Sequence, residues 1–442
     1  MDSANGDKND RVFVIGKWAS PHPVGNPLRR VVFAINGKSW PHNEKLTHAI
    51  GEEVRWRWIN TTNRSHPMHM HGSYFRIDST GDGTRDNIYA AEDRRMAVTE
   101  RMPIGGTMAT TWVPETEGRW IFHCHIQAHF SSDLGLEGPE GTTPAHSGSH
   151  PELGAGMKGL VLGLTVLPSE RAGAPVPRAN PRQLRLFVRE RPATWDSPKA
   201  HVYQLQEGAE EPSLDRATVP GSPIVLMKGE PVEITVVNQL KQPTAVHWHG
   251  IEIESYYDGA AGWGGVGSQV TPPIPPGESF LVRITPKRAG TFIYHTHWHD
   301  PIQLSTGLYG PLIVLEPGQR FDPERDKTFI ISRGGTDNAT APALLNGSVQ
   351  PLAQRLEKGV KYRFRFINIS DNLGDLTVSL SLEGSPLTWR PIAKDGATLP
   401  ASHQRPRPAQ QVIAVGETYD FEFQHDREGD LQLELIRGPV SN

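Results

Sequence analysis

The chain has 442 residues and a single cysteine, Cys124, so no intrachain disulfide framework can form. It has no apolar run near the ~18 residues of a membrane span. The longest run, residues 159–167, has the length of a buried strand. It has little excess charge: 45 Lys plus Arg against 49 Asp plus Glu leave a net charge of −4, which calls for neither nucleic acid nor an anionic membrane as partner. It has no long stretch with the 3.6-residue period and caps of a helix, while 44 Gly and 38 Pro supply many turns. The first ten residues, MDSANGDKND, contain no apolar signal core. Either a leader has been removed or the protein is cytoplasmic, and a secreted or periplasmic protein without its leader is the expectation adopted. At about 150 residues per domain, the length suggests about three domains.

What is present is a threefold repeat. Residues 51–60, 229–238 and 359–368 each run glycine, eight residues, asparagine, alternating polar and apolar as a half-buried strand does. Nine residues after Asn60 comes His69, and nine after Asn238 comes His247; two further on, His71 matches His249. The third copy has Thr377 and Ser379 there. A second segment closes each copy. Gly118-RWIF-His123-Cys-His125 matches Gly290-TFIY-His295-Thr-His297, and Gly429-DLQL-Glu434 places Glu434 and Ile436 where the others have histidines. Self-similarity at this spacing implies three copies of one β-sandwich, over residues 1–170, 184–317 and 318–442. The Pro-rich stretch 170–183 and residues 316–326 read as linkers, and residues 135–156 as an inserted surface loop.

Histidine supplies the chemistry. Residues i and i+2 of a strand point to one face, so His69/His71, His123/His125, His247/His249 and His295/His297 each present two imidazoles together. One such pair alone is more often solvated or core than a ligand set. Four pairs at repeat-equivalent positions, two from each of two copies, suit two or three metals bridging a domain interface. In the first copy His66 lies three before His69 and His129 five after Cys124, and two imidazoles with one thiolate form the trigonal set of a blue copper site. The second copy has Thr244, Thr296 and Pro301 instead and cannot build it. His295-Thr-His297-Trp-His299 contains two overlapping frames, and the repeat favours His295 and His297 over His299. His146 and His150 read as solvated, and Met157 as a packing residue rather than an axial ligand.

These residues resemble the multicopper oxidases, the family that includes the laccases. His66-PMHMHG, His123-CHIQAHFSSDL, His247-WHG and His295-TH match its four copper motifs, and the resemblance covers nearly the whole chain. It implies an all-β fold of three cupredoxin-like Greek-key β-sandwiches in a pseudo-threefold ring, with four copper ions. Carried over, the type 1 copper takes His66, Cys124 and His129, with Leu134 rather than Met at the axial position. The type 2 copper takes His69 and His247, and the type 3 pair takes His71, His123, His125, His249, His295 and His297. The third copy, with Leu345-Asn346-Gly347 and residues 415–418, resembles the copper-free middle domain of laccases.

Three-domain laccases carry the HWHG domain first and the HCH domain last; here the HCH copy comes first, as in a circular permutation of the same ring. The resemblance implies one-electron oxidation of a phenol or aromatic amine, with electrons passing through Cys124 to His123 and His125, coupled to four-electron reduction of dioxygen to water. Asp258 resembles the acidic residue near the type 2 copper, a proton donor for a reaction that consumes protons; an Asp-Gly turn is the equal alternative. The rival readings are a metal-ion oxidase acting on Cu(I), Fe(II) or Mn(II), and a non-catalytic blue-copper carrier. The third copy offers internal closure of the ring, so a monomer is expected, with a trimer as alternative.

Overall fold

The computed structural model describes residues 9–19, 31–130, 157–169, 180–192, 199–337, 340–371 and 373–438. Leu134, His146, His150, the 135–156 loop and most of the 170–183 linker lie outside them. The described chain is nearly all β, in six sheets. Sheet pairs fall in three consecutive stretches, within residues 10–167, 182–315 and 326–437. In the first, the Asp10–Ala19 strand runs parallel to Val54–Asn60, and Lys45–Ala49 runs parallel to Val161–Leu167. The second repeats this with Arg182–Arg191 on Val232–Asn238 and Ile224–Met227 on Tyr309–Leu315. The third repeats the first of these pairings, with Asp326–Arg333 on Tyr362–Asn368. The sequence repeat is therefore a repeat of strand topology.

The glycine and asparagine that frame each repeat have structural reasons. Gly51, Gly229 and Gly359 sit at φ of 83°, 80° and 75°, the left-handed region that glycine enters without steric cost. Each asparagine closes the turn after its strand. Asn60 donates Nδ2–H to Arg64 O and Pro103 O while its Oδ1 accepts from Thr62 N. Asn238 serves Gln242, Ile274 and Leu240 in the same way, and Asn368 serves Ile413 and Ser370. Each asparagine thus fixes the entry into the strand that carries, or in copy three lacks, the histidines.

Between the frame residues the alternation packs the core. Val54, Trp56, Trp58 and Asn60 point inward, and the residues between them are exposed. Trp58 stacks on Phe13 at 4.5 Å and on Phe122 at 4.9 Å between ring centroids. Removing such a side chain costs about 3–5 kcal/mol. Phe122 belongs to the Gly118–Cys124 strand, so the aromatic core fixes the strand whose next residue, His123, faces the other way.

The three sandwiches close on one another. Arg119 of the first donates to Trp263 O and Gln269 O of the second. Thr291 of the second donates to Asp420 of the third. Arg101 of the first pairs with Asp375 of the third at 2.6 Å. Each copy touches both others, which is the pseudo-threefold ring.

One alignment moves. His69 pairs with His123 and His247 with His295, whereas Thr377 pairs with Ile436 and Ser379 with Glu434. Ile436, not Glu434, therefore stands at the His123 position. The Gly429 match was two residues out of register because no histidine anchors that segment.

Candidate metal centre

Four ligand pairs converge from four strands. His69 and His71 come from the His66–Met70 strand and the residue after it, and His123 and His125 from the end of Gly118–Cys124. His247 and His249 lie on Val246–His249, and His295 and His297 at the end of Gly290–Thr296. The first two pairs belong to copy one and the last two to copy two. Three groups form at their meeting: His69, His71 and His247; His71, His123 and His297; His125, His249 and His295. Within each group the potential ligand atoms lie within 4.8 Å of one another.

The hydrogen bonds around the rings decide what faces inward. His69 donates Nδ1–H to Val98 O at 2.9 Å, and His247 donates Nδ1–H to the backbone oxygen of Asp258 at 2.8 Å. A carbonyl only accepts, so both rings carry their proton on Nδ1 and a lone pair on Nε2. Those two Nε2 atoms face each other at 3.2 Å with no proton to share. The same holds for His71 and His123, whose Nε2 atoms stand 3.0 Å apart while their Nδ1 atoms serve the Asp258 carboxylate and Cys124 O. His295 donates Nδ1–H to Thr296 O, and its buried Nε2 has no partner. His125 Nδ1 and Nε2, His249 Nδ1 and His297 Nε2 are also buried without a partner. Burial pushes the His123 imidazolium down to about 4, and holds those of His69, His71, His125, His249, His295 and His297 well below the usual value, so these rings stay neutral. Neutral rings aiming lone pairs at one another offer a donor set for a cation, and an all-imidazole set fits copper.

Asp258 follows the short turn Ser255–Tyr257 and is 1% exposed. Its carboxylate accepts from His71 Nδ1 at 2.7 Å and lies 3.4 Å from His247 Nδ1. It joins the two rings from different copies, which goes beyond an Asp-Gly turn.

Cys124 points away from its histidine neighbours, as alternate strand residues do. Its Sγ lies 3.6 Å from His66 Nδ1 and 3.3 Å from His129 Nδ1, and those two nitrogens are 3.0 Å apart. His66 donates Nε2–H to the Thr62 hydroxyl, which donates to Asn60 Oδ1. The framing asparagine of copy one thus orients a ligand. His129 rides on the short helix Gln127–Phe130, with Phe33 against its ring at 4.2 Å. Burial pushes the thiol pKa up and the His66 imidazolium down to about 3, so a thiolate is held there only with a cation.

His299 takes no part. It is exposed, with φ at 48° as the N-cap of the Asp300–Gln303 helix. Met157 packs beside Ile121, Phe130 and Val161. Two contributors carry no signal in the sequence. Thr99 Oγ1 sits 3.1 Å from His69 Nδ1 and 3.2 Å from His249 Nε2. Gln303 Oε1 accepts from both Thr244 and Thr296 at 2.8 Å, closing the copy-two corner that matches the Cys124 pocket.

Multicopper oxidase family models match residues 17–142 and 211–319, together more than half of the chain. The chain belongs to the multicopper oxidase family. The two matched stretches are the two copies that carry these histidines. Among curated relatives of this multicopper oxidase, it is 30% identical to a laccase-2 of Pleurotus ostreatus over 40% of this chain and 37% of that protein. It is 38% identical to a laccase-2 of Fomitopsis schrenkii over 30% of this chain and 26% of that protein. The chain thus matches well under half the length of these relatives. A blue copper oxidase of Nitrosomonas europaea aligns with a TM-score of 0.44 at 21% identity, over 57% of this chain and 78% of that one. Family membership implies copper. No helix among the described residues is long and apolar enough to cross a membrane.

Proposed function

We propose that the protein is a laccase-like oxidase, oxidising phenols or aromatic amines one electron at a time and reducing dioxygen to water. The observation that carries this reading is the set of imidazole lone pairs facing one another where copies one and two meet, beside a single His–Cys–His pocket one residue away. His66, Cys124 and His129 would hold a type 1 copper. His69 and His247 would hold the type 2 copper, and His71, His123, His125, His249, His295 and His297 the type 3 pair. Bound copper would supply the one-electron uptake and the dioxygen chemistry.

The chain's own residues do the rest. Val98 O, Thr296 O and the Asp258 backbone fix ring tautomers and direct Nε2 inward. Burial of the rings excludes bulk water, with His66, His69, His71 and His247 at 0% exposure. The Asp258 carboxylate, at hydrogen-bond distance from His71 Nδ1, is placed to hold and release a proton beside the cluster. Cys124 joins His123 and His125 by peptide bonds, so the pocket and the cluster share one rigid strand.

All eight cluster histidines come from one chain, which supports a monomer of residues 1–170, 184–317 and 318–442 as a circularly permuted ring; a secreted or periplasmic location is part of the same proposal. The test is copper analysis on a size-exclusion peak with light scattering, together with oxygen uptake on a panel of phenols. About four copper ions per monomer with uptake is the expected result. One copper without uptake indicates a carrier. A full set found only in a trimer makes the cluster intermolecular.

A further inference from the structure

We propose that the copper-free third copy holds the metal cluster in register: Asp395 is a positioning residue that orients His69 and His249 through Val98 and Thr99. The proposal rests on the copper reading above.

Val98 and Thr99 lie at an edge, because the Thr99–Met102 strand is the last of its sheet and, among the described residues, pairs only with His66–Met70. One side of this two-residue piece serves the cluster. Val98 O accepts from His69 Nδ1 and from Met70 N, and the Thr99 hydroxyl lies between His69 Nδ1 and His249 Nε2. Those two rings stack at 3.8 Å with an interplanar angle of 8°.

The other side belongs to copy three. The Asp395 Oδ2 accepts from Val98 N at 3.2 Å and Thr99 N at 3.1 Å, and its Oδ1 accepts from Thr418 N at 3.0 Å. Lys394 Nζ donates to Thr99 O and lies 2.9 Å from Asp395. Amide donors on a carboxylate make charge-assisted bonds, stronger than the neutral ladder bonds that an edge strand lacks.

The clamp itself has a fixed place. Asp395 and Gly396, at φ of 49° and 75°, form the tip of the hairpin between Thr388–Lys394 and Ala397–Thr398. A Cβ on Gly396 would collide with the Phe292 ring, and the Tyr74 hydroxyl donates to Asp395 O. The tip is therefore wedged between copies one and two, where a shift moves Val98 and Thr99 with it.

The experiment uses the full chain loaded with Cu(II), and reads copper per chain, blue absorbance and the type 2 electron paramagnetic resonance signal during dialysis against graded chelator. Asp395→Ala should keep the blue colour and lose type 2 copper at ~10–100-fold lower chelator than wild type. Thr99→Val, which leaves the interface intact, should weaken retention in the same direction, and Thr99→Ser should restore it. If Asp395→Ala fails to fold, the Thr99 pair decides. Wild-type retention in both Asp395→Ala and Thr99→Val overturns the assignment. So does parallel loss of colour, all copper and melting temperature, which marks a general structural role. A wild-type chain that binds one copper overturns the copper reading and this inference with it.

Discussion

One corner of the sandwich occurs in both histidine-bearing copies, with opposite outcomes. In copy one the end of the Gly118–Cys124 strand and the helix Gln127–Phe130 bring Cys124 and His129 to His66. In copy two the end of Gly290–Thr296 and the helix Asp300–Gln303 bring Thr296 and Gln303 to Thr244. The second corner satisfies itself: Gln303 accepts two hydroxyl protons and donates Nε2–H to Pro243 O. The first instead gathers a thiol and two imidazole Nδ1 atoms within 3.6 Å of one another, the donor set of a blue copper site. A buried polar site must be completed by protein or by a ligand. The two corners are those two solutions on one backbone.

The sharpest break of this contrast is Cys124→Ser, which makes the first corner resemble the second. It should abolish the intense blue absorbance and drop oxidation of organic reductants on the order of 1,000-fold or more, because the residue works as part of a unit. Copper held by the eight cluster histidines should remain. Optical spectra with copper analysis check both, and a blue, active variant removes Cys124 from the pocket.

Next in size is Asp258, which has no counterpart at the Cys124 pocket. Asp258→Ala frees His71 Nδ1, and should weaken cluster copper and turnover by ~10–100-fold. Asp258→Asn keeps an acceptor oxygen, so copper should stay while turnover falls, because an amide holds no exchangeable acid proton. Copper counts beside oxygen-uptake rates separate orientation from proton transfer.

What the sequence disclosed follows from the range of the interactions involved. The Gly and Asn frame and the HxH pairs are local: a period of two and a turn-closing side chain need only neighbours in the chain. His69, His71, His123, His125, His247, His249, His295 and His297 were all legible on that basis, while the repeat only favoured His295 and His297 over His299. Asp258 was half legible, because an Asp-Gly turn and a carboxylate between two imidazoles look alike in one dimension. Thr99, Asp395 and Gln303 were not legible. Their roles exist only where copies meet or where a corner closes, and a lone threonine or glutamine carries no periodic signal. The misplaced Glu434 shows the same limit, since alternation sets the face of a strand but leaves a two-residue slip undetected.

A smaller effect sharpens the self-satisfied corner. Gln303→Ala leaves the buried Thr244 hydroxyl without its acceptor and the Thr296 hydroxyl with only Trp298 O, and should cost about 1–2 kcal/mol of stability. Copper content should not change. Denaturant unfolding with copper analysis reads both, and a loss of copper would mean that the copy-two corner also supports the metal sites.

The smallest expected effect distinguishes the two corner helices by charge. The copy-one helix begins at neutral Gln127, whereas the copy-two helix begins at Asp300, a buried carboxyl facing Asp371 of copy three. Burial first, and the Asp371 charge second, push the Asp300 pKa up from 3.8 to about 7. Between those values the folded protein keeps this proton while the unfolded chain has lost it. The stabilisation from Asp300 is therefore fully present below about pH 4 and disappears as pH rises toward 7. Asp300→Asn has no such proton to lose, so its stability relative to wild type should improve across that window and level off above it. The net gain above neutrality should be about 1 kcal/mol, because the new amide is itself buried and offsets part of the relief. Melting temperatures of both proteins at matched copper loading, from pH 5 to pH 8, measure the difference. A difference that stays flat with pH would place Asp300 ionised throughout and its proton outside the folding equilibrium.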